Sequence, residues 1–151
     1  VVPLALVDAI VRAQAVLDGP QRLLDQSVVA DFIAEGHFAR HLRRLRTLHA
    51  ERQGVLIKAV ARELGGFLEV GPARAGLHLI GWLPPGVDDQ EASRLAAENG
   101  VVAEPLSPLG MKPIQRGGLL LGYAAVNARQ IRDGVRRLAA ALRKMPPGAK
   151  G

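Results

Sequence analysis

Three of the four histidines, His37, His41 and His49, share one stretch with Arg40, Arg43, Arg44, Arg46 and Arg52. Two chemistries compete for that combination. His37 and His41 stand at i and i+4, the spacing by which one helical face offers two imidazoles to zinc. Phe38 occupies the position where such motifs carry a glutamate, no third ligand is evident, and the arginines would repel a cation. No metal is expected. The arginines alone suit phosphate contact with nucleic acid. Without helix-turn-helix spacing or interleaved aromatics, a solvated basic face is the simpler reading.

Nucleophiles are few. Ser27, Ser93 and Ser107 are the only serines, and none lies in a Gly-x-Ser-x-Gly elbow. Of the lysines, Lys58 falls on an exposed helix pattern, Lys112 in a loop, and Lys144 and Lys150 in a tail. Schiff-base chemistry needs an amine held in a pocket with its pKa lowered, so none of the four is a candidate. Gly117-Gly118 leads into a strand pattern instead of a helix N-terminus and fits no dinucleotide or Walker loop. The absence of cysteine excludes disulfides, thiol catalysis and iron–sulfur ligation. No catalytic residue is assigned.

A chain of 151 residues, 48% hydrophobic and 23% charged, has room for one packed domain with extra elements and is neither disordered nor fibrous. Twenty Lys plus Arg against fourteen Asp plus Glu give a net charge of +6, which admits an acidic partner without naming one. Apolar runs fall short of a membrane span, and a membrane partner is not expected. The opening Val1-Val2-Pro3, without Met, reads as the end of a strand in a longer chain.

Helical spacing of Leu4, Val7, Ile10, Val11 and Leu17 predicts a helix from Pro3 to Leu17, stopped at Asp18-Gly19-Pro20. A second helix is expected over about 22–34, broken by Gly36, and a third over about 38–64, closed by Gly65-Gly66. At 1.5 Å per residue the third is roughly 40 Å long, longer than a small domain is wide, so it should link two bodies. The period then changes. Strands are predicted at Phe67–Val70, Leu77–Leu83, Val101–Glu104 and Leu119–Ala124, the last buried on both faces. Asp88 or Asp89 caps a helix to about Asn99, with Glu91 near the reach-back position, and Asn127 caps a final helix to about Arg143. Residues 105–118 form a long Pro- and Gly-rich loop of the kind that often carries function. The four strands should share one sheet covered by the last two helices.

These segments carry a resemblance. VVADFIAEGHFARHLRRLRTLHAERQGVLIKAV (28–60), GLHLIGWLPPGVDD (76–89), GVVAEPLSPL (100–109) and GGLLLGYAAVNARQIRDGVRRLAAAL (117–142) resemble the C-terminal end of a fold-type I aminotransferase domain. The likeness is nearest to the MocR subfamily of GntR-type transcriptional regulators, in which a winged helix precedes an aminotransferase-like body that binds pyridoxal phosphate. It reaches to Leu142, and ADFIAEGHFARHLRRLR is its most specific part.

The resemblance implies an α/β fold: the small C-terminal domain of the fold-type I aminotransferases, preceded by a helical arm with one long linking helix. It implies residues 1–36 as a helical segment of, or packed on, the large domain, 37–64 as the linking helix, 65–144 as the small domain and 145–151 as a tail. It places the cofactor lysine and the winged helix upstream, so no cofactor-binding residue is assigned and none is expected to bind pyridoxal phosphate covalently in this chain. It implies a cytoplasmic bacterial-type regulator, with DNA contacted through the winged helix and pyridoxal phosphate or a small amino compound as effector. Related aminotransferases pair the substrate carboxylate with an Arg at the position of Leu120. Arg116, four residues earlier, is the candidate substitute for effector binding. The alternative is the C-terminal domain of a free-standing pyridoxal-phosphate-dependent class I/II aminotransferase. Either way, exposed apolar residues on helices 3–17 and 22–34 predict a homodimer or larger homo-oligomer.

Overall fold

Apolar residues at helical intervals produce three successive helices, α1 (Leu4–Leu17), α2 (Leu23–Ala34) and α3 (His37–Leu64). The computed structural model describes residues 2–17, 23–112 and 114–145. Of the strand end expected at Val1-Val2, Val1 lies outside these residues and Val2 is in no strand; the stop at Asp18-Gly19-Pro20 and the tail from residue 146 onward also lie outside them. Compact units run from Val1 to Arg44 and from Leu45 to Gly151, the division falling inside α3.

In the first unit Gly36, at φ 76°, makes the left-handed turn between α2 and α3. Phe32 stacks on His37 at 5.7 Å and meets Phe38 edge-on at 6.5 Å. No described residue of this unit is buried. Leu4 (93%), Val16 (84%) and Leu24 (77%) are almost fully exposed.

The second unit holds the core. Its remaining elements are β1 (Glu69–Val70), β2 (His78–Trp82), α4 (Asp89–Glu98), β3 (Glu104–Pro105), one 3₁₀ turn at Ser107–Leu109, β4 (Gly118–Gly122) and α5 (Ala128–Leu142). The four strands share one sheet, as the strand pattern predicts, and it is antiparallel in the order β1-β2-β4-β3. Opposed pairs in the β2–β4 ladder are Leu79 with Leu121 and Gly81 with Leu119, on the inward face. Leu79, Leu119, Leu121 and Tyr123 pack there with Leu56 and Val60 of α3 and with Ile131, Val135 and Leu138 of α5. Gly81 is bare for a packing reason: a Cβ there would stand 2.9 Å from the Leu68 side chain.

Strand ends differ from the sequence reading. Phe67 and Leu68 are not in β1, because both amides donate to the Leu64 carbonyl and finish α3. Val101 is likewise claimed by α4, its amide donating to Ala96 O, so β3 pairs only at Glu104 and Pro105. β4 ends at Gly122 and is not buried on both faces: Leu120 is half-buried and Gly122 exposed. The sheet's second face, with Ile80, Trp82 and Leu120, stays partly open.

Helix ends follow side-chain chemistry. Asp88 caps α4 by accepting from the Gln90 amide, while Glu91 turns outward to Arg94 and does not reach back. Asn127 caps α5 as expected, and Gln130 returns the bond to the Asn127 amide, completing a capping box. Replacing Asn127 with Ala leaves those amides to water and should lower stability by about 1 kcal/mol. A urea titration should show a lower midpoint with unchanged slope; an unchanged midpoint would count against the cap.

Candidate functional site

The stretch between β3 and β4 is fastened at both ends by Asp89. α4 begins with two aspartates; Asp88 takes the cap, so the next carboxylate points inward and is only 2% exposed. Its Oδ2 accepts from the amides of Leu106 (3.1 Å), Ser107 (2.9 Å) and Gly118 (3.1 Å). Its Oδ1 accepts from the Ser107 hydroxyl at 2.5 Å. Gly117 leaves space for this contact, since a Cβ there would come within 3.1 Å of Asp89 Cβ. Burial pushes the Asp89 carboxyl up, but the hydroxyl and three amides outweigh it and hold the pKa below its ordinary value. An acid so stabilised as carboxylate is a poor base, so Ser107 and Asp89 form a structural clamp and not a nucleophile–base pair.

Arg116 adds a second tie near the β4 end. Its Nε donates to Leu83 O at 2.6 Å and its Nη1 pairs with Glu69 at 2.7 Å. The bond and charge of Arg116 lower the Glu69 pKa in turn. Leu120 lies opposite Ile80 on one side and Glu104 on the other. An apolar residue therefore sits at the centre of the open sheet face, with Arg116 at the entry to the same strand.

A second polar cluster ties the C-terminal half of α3 to the end of β4. The Tyr123 hydroxyl donates to Gly76 O (3.0 Å) and accepts from Gln53 Nε2, which also reaches Ala73 O, each at 3.2 Å. Arg52 donates to the carbonyl of Ala124, and His49 meets the Tyr123 ring edge-on at 6.4 Å. This closes the turn from Gly71 to Gly76 against α3. Sequence reading gave Tyr123 and Gln53 no role and placed His49 and Arg52 on a solvated basic face, whereas both are half-buried against the end of β4. The signal was weak: one tyrosine within an apolar strand, whose buried hydroxyl must find partners.

Other candidates remain apart. His37 pairs with Glu35 at 3.1 Å, and among the described residues no three metal-ligating side chains converge. Lys58, Lys112 and Lys144 are exposed, and Lys150 lies outside the described residues.

No protein-family model matches the chain. In the solved structures it is similar to LysN, the α-aminoadipate aminotransferase of Thermus thermophilus, with a TM-score of 0.81 and 27% identity over 95% of this chain and 36% of that one. The four-stranded sheet with its helices is thus the small domain of the fold-type I aminotransferases, preceded by its helical lead-in. Among curated proteins the chain is 36% identical over 142 residues to the probable rhizopine catabolism regulatory protein MocR of Rhizobium meliloti, covering 94% of this chain and 29% of that protein. It is 33% identical over 113 residues to the HTH-type transcriptional regulator YhdI of Bacillus subtilis, covering 75% of this chain and 24% of the relative. The chain corresponds to the C-terminal, aminotransferase-like part of a MocR-type regulator, and it spans less than a third of those relatives' length.

The LysN structure contains N-(5'-phosphopyridoxyl)-L-leucine. Covalent attachment of such a cofactor needs a desolvated amine, and the three exposed lysines do not fit that role.

The Asp89 clamp makes a pH prediction. Its folded pKa is depressed, so its contribution is complete above the ordinary value of 3.8 and is lost as pH falls through the folded value. Replacing Asp89 with Asn puts an amide group among donors and should cost about 2–3 kcal/mol at neutral pH, with a smaller loss of stability on acidification than the parent shows. Denaturation midpoints at neutral and acid pH would test this; parallel pH curves for the two proteins would refute it.

Proposed function

We propose that this chain is the small-domain part of a pyridoxal-phosphate-responsive transcription regulator, within a longer polypeptide that contacts DNA through a winged helix. The observation that carries the reading is the alignment of 94% of the chain with a MocR regulator. Residues 1–36 serve as the helical segment against the large domain, 37–64 as the linking helix, 65–144 as the small domain and 145–151 as a tail. The protein works in the cytoplasm, where its effector is pyridoxal phosphate or an amino compound that condenses with it.

Arg116 is the effector-facing cation in this proposal. A guanidinium has five donors, and the bonds to Leu83 O and Glu69 leave some of them available for a carboxylate. Leu120 offers only apolar contact, which favours a sensor over an enzyme that must clamp an amino-acid carboxylate at each turnover. The complete polypeptide should retard its own promoter fragment in a gel, with the shift altered by pyridoxal phosphate and the effector response weakened about tenfold or more in Arg116→Gln, as loss of a charged hydrogen bond implies. A complete polypeptide that transaminates amino acids and ignores DNA would establish the free-standing aminotransferase instead.

Homodimerisation is part of the same proposal. Leu4, Val7, Val11, Leu24, Val28, Phe32 and Phe38 are all exposed, and apolar surface of that extent calls for a cover. An isologous pairing of two copies supplies one that closes on itself. Sedimentation of the chain at micromolar concentration should show a dimer or larger species, and a clean monomer would overturn the expectation.

A further inference from the structure

The net charge of +6 is unevenly placed. A groove of about 350 Å³ runs between α3 and α5, lined by Val55, Lys58, Ala59, Arg62 and Arg132. Its floor is apolar, and its three polar residues are all cations with exposed side chains. Lys58 and Arg62 stand at i and i+4 on α3; on α5, Arg132 is flanked by Arg129 and Arg136. Carboxylates offset this only in part. Glu63 pairs with Arg62 at 2.8 Å, and Asp133 pairs with Arg136 and, at 3.9 Å, with Arg129. Lys58 and Arg132 form no ion pair among the described residues.

We propose that this groove seats the sugar–phosphate backbone of duplex DNA. Cations three and four residues apart on a helix repeat every 5–6 Å or so, a pitch comparable to the step between consecutive phosphates on one strand. An apolar floor between two cationic walls has no donor or acceptor pattern to read base edges, so the contact is independent of sequence. Trp82 and Tyr123 lie outside the groove, and without an aromatic platform it does not suit single strands, which bind by stacking. The choice of DNA over other polyanions rests on the proposed regulator function, in which the helical and sheet body is held close to the duplex. The contact itself belongs to this chain and needs no winged helix.

The chain as it stands is the material for the test. Fluorescence anisotropy with a short labelled duplex of arbitrary sequence, over a series of salt concentrations, gives the slope of log affinity against log salt. Each phosphate contact contributes about 0.9 to that slope. Lys58→Gln combined with Arg132→Gln should make it shallower by about 1.8, whereas Arg132→Lys, which keeps the charge, should leave it unchanged. The pair Arg40→Gln and Arg44→Gln, on the first half of α3, should have little effect. Circular dichroism on each variant verifies that the fold is retained. No binding at low salt, a slope indifferent to Lys58 and Arg132, a loss carried instead by Arg40 and Arg44, or tighter binding to polyglutamate than to duplex would each overturn the proposal. Failure of the regulator reading shows separately, as a complete polypeptide without affinity for its promoter.

Discussion

A single carboxylate organises the second unit. Asp89 is nearly fully buried yet held as the anion, and a buried charge is tolerated only when its lone pairs are occupied. Its four donors come from the start of the 3₁₀ turn and from the first residue of β4. One side chain thus fixes where β3 must end, where β4 must begin and how α4 enters the layer above. Removing any donor would strand part of the charge, so these positions are constrained together. Among its described residues the stretch from Leu106 to Gly117 has one 3₁₀ turn as its regular structure, yet Asp89 fixes both its ends and Arg116 ties it to Leu83 and Glu69.

α3 shows two regimes within one continuous helix. From Leu56 to Leu64 it buries four residues in the core, and Gln53 and Arg52 lock it to the end of β4. Before Leu45 none of its residues is buried. Helices of ordinary length gain most of their stability from packing an apolar face, so the first half and the residues of α1 and α2 whose exposure is described lack the contribution that stabilises the second half. Arginine-rich sequence is compatible with this, because long cationic side chains keep a helix soluble whether or not its apolar stripe is covered.

Periodicity made most elements legible. The 3.6-residue stripes of α3 and α5 and the apolar runs of β2 and β4 were legible because packing imposes them over many residues, whereas α4 was read from its Asp cap and its Gly100 stop. Boundaries set by one hydrogen bond were not legible. Phe67-Leu68 and Val101-Val102 look like strand, but backbone carbonyls at the ends of α3 and α4 capture the Phe67, Leu68 and Val101 amides first. Asp88 and Asp89 are chemically identical neighbours, and only the geometry of the helix start decides which one caps and which one turns inward. The roles of Tyr123, Gln53 and Arg52 depend on contacts 70 and 72 residues apart in the chain, a range that no local pattern encodes. Leu120 was the reverse case. Its identity carried meaning only through the family likeness, and the structure gives it an open sheet face to occupy.

The sheet's two outer strands, β1 and β3, pair over only two residues each, and one of those in β3 is Pro105, which has no amide to offer. An incoming strand from another molecule finds almost no template on either side. Self-association of this protein is thereby steered away from cross-β stacking. Concentrated samples should therefore resist fibril growth from the sheet edges.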